Sequence, residues 1–495
     1  MDSITNDVES KEIENTENRT MSSTRLRMIL ISVLIMTFMM TVDSSILNVA
    51  LPTLAKALNV PTSLIDWACT AYLISMCAFA LIFGKIADII GKTRFFQAGT
   101  VIFTVGSMLC SISGSFVFLI ISRLIQGIGA SAAMSSNLGI ITETYSAENR
   151  AKALSGVSSA VALGTLVGPI AGGVILNYFS WPVIFLINLP VGVAAFILGF
   201  VFLPKNKGRK AVNHFDIGGS IFIVLAITTV ISSLTMLQTY NNIYLYLLLL
   251  LGFVFLFFFV CFENKSDVPL IKISLFTNKA FVINLLAITM TFISIGTYGI
   301  MMPFYLQDAL GYTPAKASLI MITQPIIIAL VAPIAGTLAD KYGYRPVSAF
   351  GMFLFGAGAL FQGLLYHLDT GLFFILLGIV IFAAGNALSQ APNNALLMSS
   401  VSPEDYGFAG SLGSLVRYLG VSIGLTLSIC ILYAMMSYKA SFPVKSFPND
   451  QPAFFIYGLR YVFIGSCMIL WVAAFLMFRE HIKSKKCQST ITNNN

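Results

Sequence analysis

The chain has 495 residues, 57% of them hydrophobic and only 10% charged, whereas a soluble domain carries about 25% charged residues. That shortage excludes a soluble enzyme or nucleic-acid binder, even though 29 Lys+Arg against 21 Asp+Glu give a formal net charge of +8. The composition is that of a polytopic membrane protein.

Residues 1–27 are polar, with six acids and four bases, and read as a disordered cytoplasmic tail. The apolar run behind them is too long for a signal-peptide core, and no small-residue cleavage site closes it. Helix-length apolar runs then follow at about 28–51, 66–87, 96–113, 115–140, 151–176, 183–203 and 217–237. They continue at about 243–262, 281–306, 315–337, 346–366, 371–391, 408–436 and 454–478. Fourteen spans place both termini on one side. With the N-terminus inside, 22 basic residues fall in inner segments and 5 in outer ones, as expected of cytoplasmic termini. Seven cysteines show no CxxC spacing, and His214, His367 and His481 are scattered. No disulfide, metal site or cofactor is expected.

Gly84-Lys-Ile-Ala87-Asp88-Ile-Ile-Gly91 reappears as Gly336-Thr-Leu-Ala339-Asp340-Lys-Tyr-Gly343, each at the end of an inward-running span and each leading to a basic residue, Arg94 or Arg345. The repeat makes span 10 the counterpart of span 2. The expected organisation is a six-helix half over 28–203, two additional helices over 204–280, a second half over 281–478 and a cytoplasmic tail over 479–495. Such duplication, with cargo handled between the halves, is the architecture of secondary transporters.

Several ordered motifs resemble the major facilitator superfamily, and within it the fourteen-span drug:proton antiporter branch. Val42-Asp43-Ser-Ser-Ile-Leu-Asn48-Val-Ala-Leu-Pro52 is similar to that branch's first-span signature. Gly84 to Arg94 resembles the superfamily's cytoplasmic loop motif, Arg123-Leu-Ile-Gln126-Gly127-Ile-Gly129-Ala130 its fourth-span motif, and Gly164-Thr-Leu-Val-Gly168-Pro169-Ile-Ala-Gly172-Gly173 the fifth-span antiporter motif. Ser180-Trp181-Pro182 departs from the Trp-Arg-Trp usual in the branch, while Asn188-Leu-Pro190-Val-Gly192 fits. The implied fold is all-α and polytopic, with 14 transmembrane helices in two six-helix halves plus two inserted helices.

Asp43 is the one acid deep within an apolar run, and Arg123 is expected at similar depth. Either charge alone costs at least ~2.5 kcal/mol at the bilayer centre, so a partner or a wet cavity is required. The functional reading makes Asp43 the proton carrier and Arg123 its partner; the alternative is a permanent structural ion pair. Asp88 and Asp340 sit at loop entries, where they would cap a helix or pair with Arg94 or Arg345; the resemblance implies a conformational latch involving Gly84, Gly91, Gly336 and Gly343. Gly164, Gly168, Gly172 and Gly173 with Pro169 suggest a flexible, tightly packed gating contact between the halves, or ordinary small-residue packing. Asn48, Gln126 and Arg417 are candidates to face cargo.

No GxxxxGK[ST] run is present, so an ion or cargo gradient must drive transport. The expected activity is proton-coupled export of lipophilic drugs or toxic amphiphiles across a bacterial plasma membrane, by a chain sufficient as a monomer and without nucleic acid or cofactor. One deep carboxylate favours monovalent or neutral cargo over dications. Sodium coupling is not excluded by the sequence. A dedicated exporter or importer of one metabolite (amino acid, siderophore or nucleotide) is the rival reading. An enzyme would need an interfacial cluster of catalytic residues, and a sensor would need a signalling domain; the sequence displays neither.

Overall fold

The computed structural model describes residues 22–145, 147–204, 216–237, 240, 242–265, 273–401, 406–444 and 452–492. Its architecture is fourteen long helices. These are α1 (Ser23–Ala57), α2 (Trp67–Ile90), α3 (Lys92–Ser111), α4 (Phe116–Thr144), α5 (Ala147–Tyr178), α6 (Asn188–Phe202) and α7 (Ile217–Leu237). The second seven are α8 (Ile243–Glu263), α9 (Lys279–Phe304), α10 (Thr323–Tyr342), α11 (Tyr344–Leu365), α12 (Leu372–Ser399), α13 (Tyr406–Ala440) and α14 (Pro452–Thr492). Twelve spans are long and apolar enough to cross a membrane. The other two, α3 with Lys92 and Arg94 and α5 with its polar first turns, complete the set by position.

Several boundaries differ from the sequence expectation. The tail assigned to 1–27 gives way to helix at Ser23, because the Ser22 hydroxyl accepts from the Arg25 amide as an N-cap. In the segment expected as a cytoplasmic tail over 479–495, α14 runs on as helix to Thr492. Two spans are broken: a one-turn helix Val183–Leu186 precedes α6, and Pro314–Met321 precedes α10. Beyond Pro303, α9 continues through a single π turn, Tyr305–Ala309.

The sequence repeat is a repeat in space. α3–α4, α2–α4, α1–α5, α1–α6 and α3–α6 pack together, as do α11–α12, α10–α12, α9–α13, α9–α14 and α11–α14. Gly91 and Gly343 end the two loop motifs at φ 108° and 95°, each amide closing on the alanine four residues back. That left-handed region costs any residue with a Cβ. The close helix contacts are duplicated too. A Cβ on Gly106 would lie 2.6 Å from the Gln126 Cα, and one on Gly358 would lie 2.5 Å from the Phe382 Cα. Gly129 presses on the Phe103 amide and Gly385 on that of Phe355 in the same register. Glycine at these places lets the backbones touch.

The inserted pair stands to one side. α7 packs on α2 and α13, where Thr235 and Thr426 hydroxyls meet at 3.0 Å. α8 packs on α7 and turns residues such as Leu247 and Phe257 outward. The two halves pack along α2 and α13 and are joined by polar contacts at the end of the bundle opposite the termini. There Lys56 Nζ pairs with Asp308 Oδ1 at 2.9 Å and Gln307 Nε2 donates to the Val49 carbonyl at 3.0 Å. Both of these hydrogen bonds cross between the halves. At the termini-bearing end, a Cβ on Gly84 or Gly336 would meet nothing within 4 Å.

Candidate functional site

α1 carries Asp43 into the centre of the first half, and α4 brings Arg123 and Gln126, one turn apart, to the same point. Asp43 is 0% and Arg123 1% exposed. Arg123 Nη1 donates to Asp43 Oδ2 at 2.7 Å and to Gln126 Oε1 at 2.5 Å, while its Nε donates to the Ala68 carbonyl at 2.8 Å. Asp43 Oδ1 accepts from Gln126 Nε2 at 2.9 Å and from Asn188 Nδ2 at 2.6 Å. Both amides also reach the Ser107 hydroxyl on α3, at 2.7 and 3.1 Å. A carboxylate with a guanidinium and two amide donors is well satisfied despite its burial. Asn188 Oδ1 is buried without a hydrogen-bond partner.

Aromatic rings close the cluster. The guanidinium carbon lies 4.3 Å from the Tyr72 ring centre and 5.8 Å from that of Phe185, within cation–π range. Phe185 belongs to the turn Val183–Leu186 and meets Trp181 edge-on. The segment that departs from the branch's Trp-Arg-Trp thus supplies a lid over Arg123.

The matching place in the second half has no charge. Phe382 stands where Gln126 stands, by the register of the glycine contacts. It stacks on Tyr298 at 4.9 Å and meets Phe355 edge-on at 4.4 Å. Duplication kept the backbone contacts and put an aromatic cluster in place of the ion pair.

Gln126, expected to face cargo, is instead committed to the cluster: its oxygen is taken by Arg123 and its nitrogen by Asp43 and Ser107. Asn48 is half-buried, accepts from the Cys69 thiol at 3.7 Å and turns its amide toward Gly299 of the other half. Arg417 is half-buried and donates to the Gly413 carbonyl of its own helix at 3.0 Å.

The glycine run of α5 acts differently from a contact purely between halves. Gly164 and Gly168 press against Thr41 and Ser45 of α1, Gly172 against Ile46, and only Gly173 meets the second half, at Ser318. Ser45 Oγ donates to the Gly164 carbonyl at 3.1 Å, just before Pro169 enters the helix. The reason is position: α5 lies on α1, and the face that carries three of the glycines looks inward. In the loop motifs, Asp340 accepts from the Tyr344 hydroxyl at 2.8 Å, and among the described residues no ion pair joins it to Arg345. Arg94 is exposed, and the Asp88 side chain lies outside the described residues. Lys92 pairs with Glu143 instead, tying α3 to α4.

Sequence reasoning singled out Asp43 and Arg123 but missed Asn188, Ser107, Tyr72 and Phe185. Asn188 sat within a matched motif; the others are unremarkable residues in apolar runs.

The sequence profile of the Major Facilitator Superfamily matches residues 33–267 and 285–491. The riboflavin transporter RibZ of Clostridioides difficile (strain 630) is 34% identical over 451 residues, 91% of this chain and 95% of the relative. The multidrug export protein EmrB of Escherichia coli (strain K12) is 27% identical over 417 residues, 83% of this chain and 81% of the relative. A solved bacterial homolog of the human lysosomal transporter Spinster, inward-facing and unoccupied, superposes with a TM-score of 0.66 at 14% identity, covering 92% of this chain and 97% of that one. Duplicated halves, the buried ion pair and the profile match together make this chain a membrane transporter of the Major Facilitator Superfamily.

Proposed function

We propose that the chain is a proton-coupled antiporter that exports lipophilic or amphiphilic compounds across the bacterial plasma membrane. The single observation that carries this is the fully buried Asp43, held by Arg123 in one half and answered by an uncharged aromatic cluster in the other. The excess of basic residues makes the termini-bearing end cytoplasmic. Polar contacts between the halves at the opposite end then correspond to an inward-facing state, with Asp43 paired to Arg123.

Protonation of Asp43 removes the counter-charge of a buried guanidinium. Breaking a buried pair on one side costs about 3–5 kcal/mol, enough to bias a transporter between conformations. Asn188 holds both a donor, now used on Asp43, and an unused acceptor; rotation of its amide would let its oxygen accept a hydrogen bond from the carboxyl O–H of a neutral Asp43. The proton therefore acts by switching the cluster, and rocking of the halves follows as Gly84 and Gly336 close against their neighbours in the outward-facing state. The α5 glycines let α5 move with α1 as one body, with Gly173 bearing on the second half. The protein works as a monomer, and Asn48, at the seam between the halves, faces cargo.

A second reading has one specific support: the relative named a riboflavin transporter spans nearly the whole chain. On that reading the cargo is one flat, amphiphilic metabolite. Proteoliposomes under an imposed pH gradient, given a panel of cationic dyes and riboflavin, separate the two. Gradient-dependent movement of several dyes supports export of many compounds, whereas movement of riboflavin alone supports the dedicated carrier.

A further inference from the structure

Away from the Asp43 cluster, α11 and α14 leave a groove of about 450 Å³ between them near the termini-bearing end, within the size range of pockets that hold small ligands. Its lining recurs at i, i+3, i+4 and i+7 on both helices, from Pro346 to Phe353 and from Trp471 to Phe478. Ala349 and Ala474, 5% and 8% exposed, are small and form the floor. Phe350 and Phe475, 59% and 64% exposed, stand as walls. Trp471 is fixed: it stacks on Phe353 at 5.4 Å, donates its N–H to the Phe353 carbonyl at 3.2 Å and fills the space beside Gly356. With that donor used inside the protein, the groove presents hydrocarbon to whatever enters.

Charge adjoins the groove at one end. Arg345 immediately precedes the lining Pro346, and Arg479 immediately follows the lining Phe478. Lys483 lies one turn beyond Arg479 on α14 and Lys341 stands at the end of α10, against Asp340, which is engaged by Tyr344, and Glu480. We propose that the groove binds an acyl chain of an anionic phospholipid, with the headgroup phosphate at Arg345 and Arg479. Basic sites between membrane helices recognise such headgroups. The shape also favours a thin chain over a partner helix: helices associate where small residues let the backbones approach closely, whereas here the small residues lie on the floor and the exposed Phe350 and Phe475 would hold a second backbone away. Assignment of the lipid to the cytoplasmic leaflet rests on the orientation proposed above, but occupation of the groove does not.

The test uses the full chain with Trp67→Phe and Trp181→Phe, leaving Trp471 as the sole tryptophan of 3. It is reconstituted in symmetric nanodiscs of phosphatidylcholine with increasing brominated phosphatidylglycerol, and in a matched series with brominated phosphatidylcholine. The expected result is saturable quenching of Trp471 by phosphatidylglycerol at a mole fraction about fivefold lower per guanidinium engaged. Arg479→Gln should move that curve toward the phosphatidylcholine one, and Ala474→Phe should remove the saturable phase. Ala349→Leu tests the same floor if Ala474→Phe fails to fold. Coincident curves for the two lipids, or a preference that survives filling of the floor, would overturn the proposal. So would protection of Trp471 from both lipids in particles of dimer mass, which would give the groove to a second copy of the chain.

Discussion

Arg123→Met removes the cation from a cluster in which every neighbour is arranged around it. Arg123 contributes hydrogen bonds to Asp43, Gln126 and the Ala68 carbonyl and sits 4.3 Å from the Tyr72 ring centre. In its absence Asp43, 0% exposed in the intact cluster, keeps amide donors alone. Leaving one partner of a buried pair uncompensated costs about 3–5 kcal/mol, whereas removing both charges is often close to neutral. The Asp43→Asn, Arg123→Met double variant should therefore recover about half or more of the loss. The coupling is read from equilibrium unfolding in mixed micelles titrated with sodium dodecyl sulfate, followed by the accessibility of Cys69 and Cys110, both buried beside the cluster. A single variant within about 1 kcal/mol of wild type, or a double variant as unstable as Arg123→Met, would refute the reasoning.

Three further outcomes follow from the geometry. Asn188→Ala deletes a 2.6 Å donor to Asp43; a hydrogen bond to a charged group is worth about 1.5–3 kcal/mol, and the pH profile of transport should move while expression persists, an unchanged profile counting against the switching role. Gly168→Ala places a methyl where Ser45 Oγ would be 1.8 Å away; the overpacking should cost about 1–3 kcal/mol in thermal stability, partly restored by Ser45→Gly, which leaves only the 3.0 Å approach to the Ile46 amide. Gly84→Ala meets open space here, so stability should stay within about 0.5 kcal/mol of wild type while transport falls, because closure at that end needs the glycine; normal transport would dismiss the latch.

The spans and the ion pair were legible because the lipid environment makes rare charges conspicuous: Asp43 is the one deep carboxylate, and of the two guanidinium groups inside apolar runs, Arg123 and Arg417, Arg123 lies at its depth in the same half. The loop repeat was equally open to view, since Gly91 and Gly343 mark positive φ. Asn188 and Ser107 were hidden, because a neutral polar residue in an apolar helix is cheap enough to occur without a partner in mind. Aligning the halves on the two loop motifs would have paired Gly106 with Gly358 and shown that the glycine framework continues beyond them. Which side of α5 its glycines face could not be read from spacing alone, as a run at Gly164, Gly168 and Gly172 fits α1 or the other half equally well until packing chooses. The groove between α11 and α14 depends on two stripes from distant segments meeting, and no single stretch of sequence announces it.

In the proposed function, protonation of Asp43 converts a proton gradient into cargo movement. Its most direct test compares wild type with Asp43→Asn in proteoliposomes, measuring cargo accumulation under an imposed pH gradient and cargo exchange without one. Asp43→Asn is expected to go on exchanging cargo but to fail to accumulate it at any gradient. Accumulation equal to wild type would contradict it.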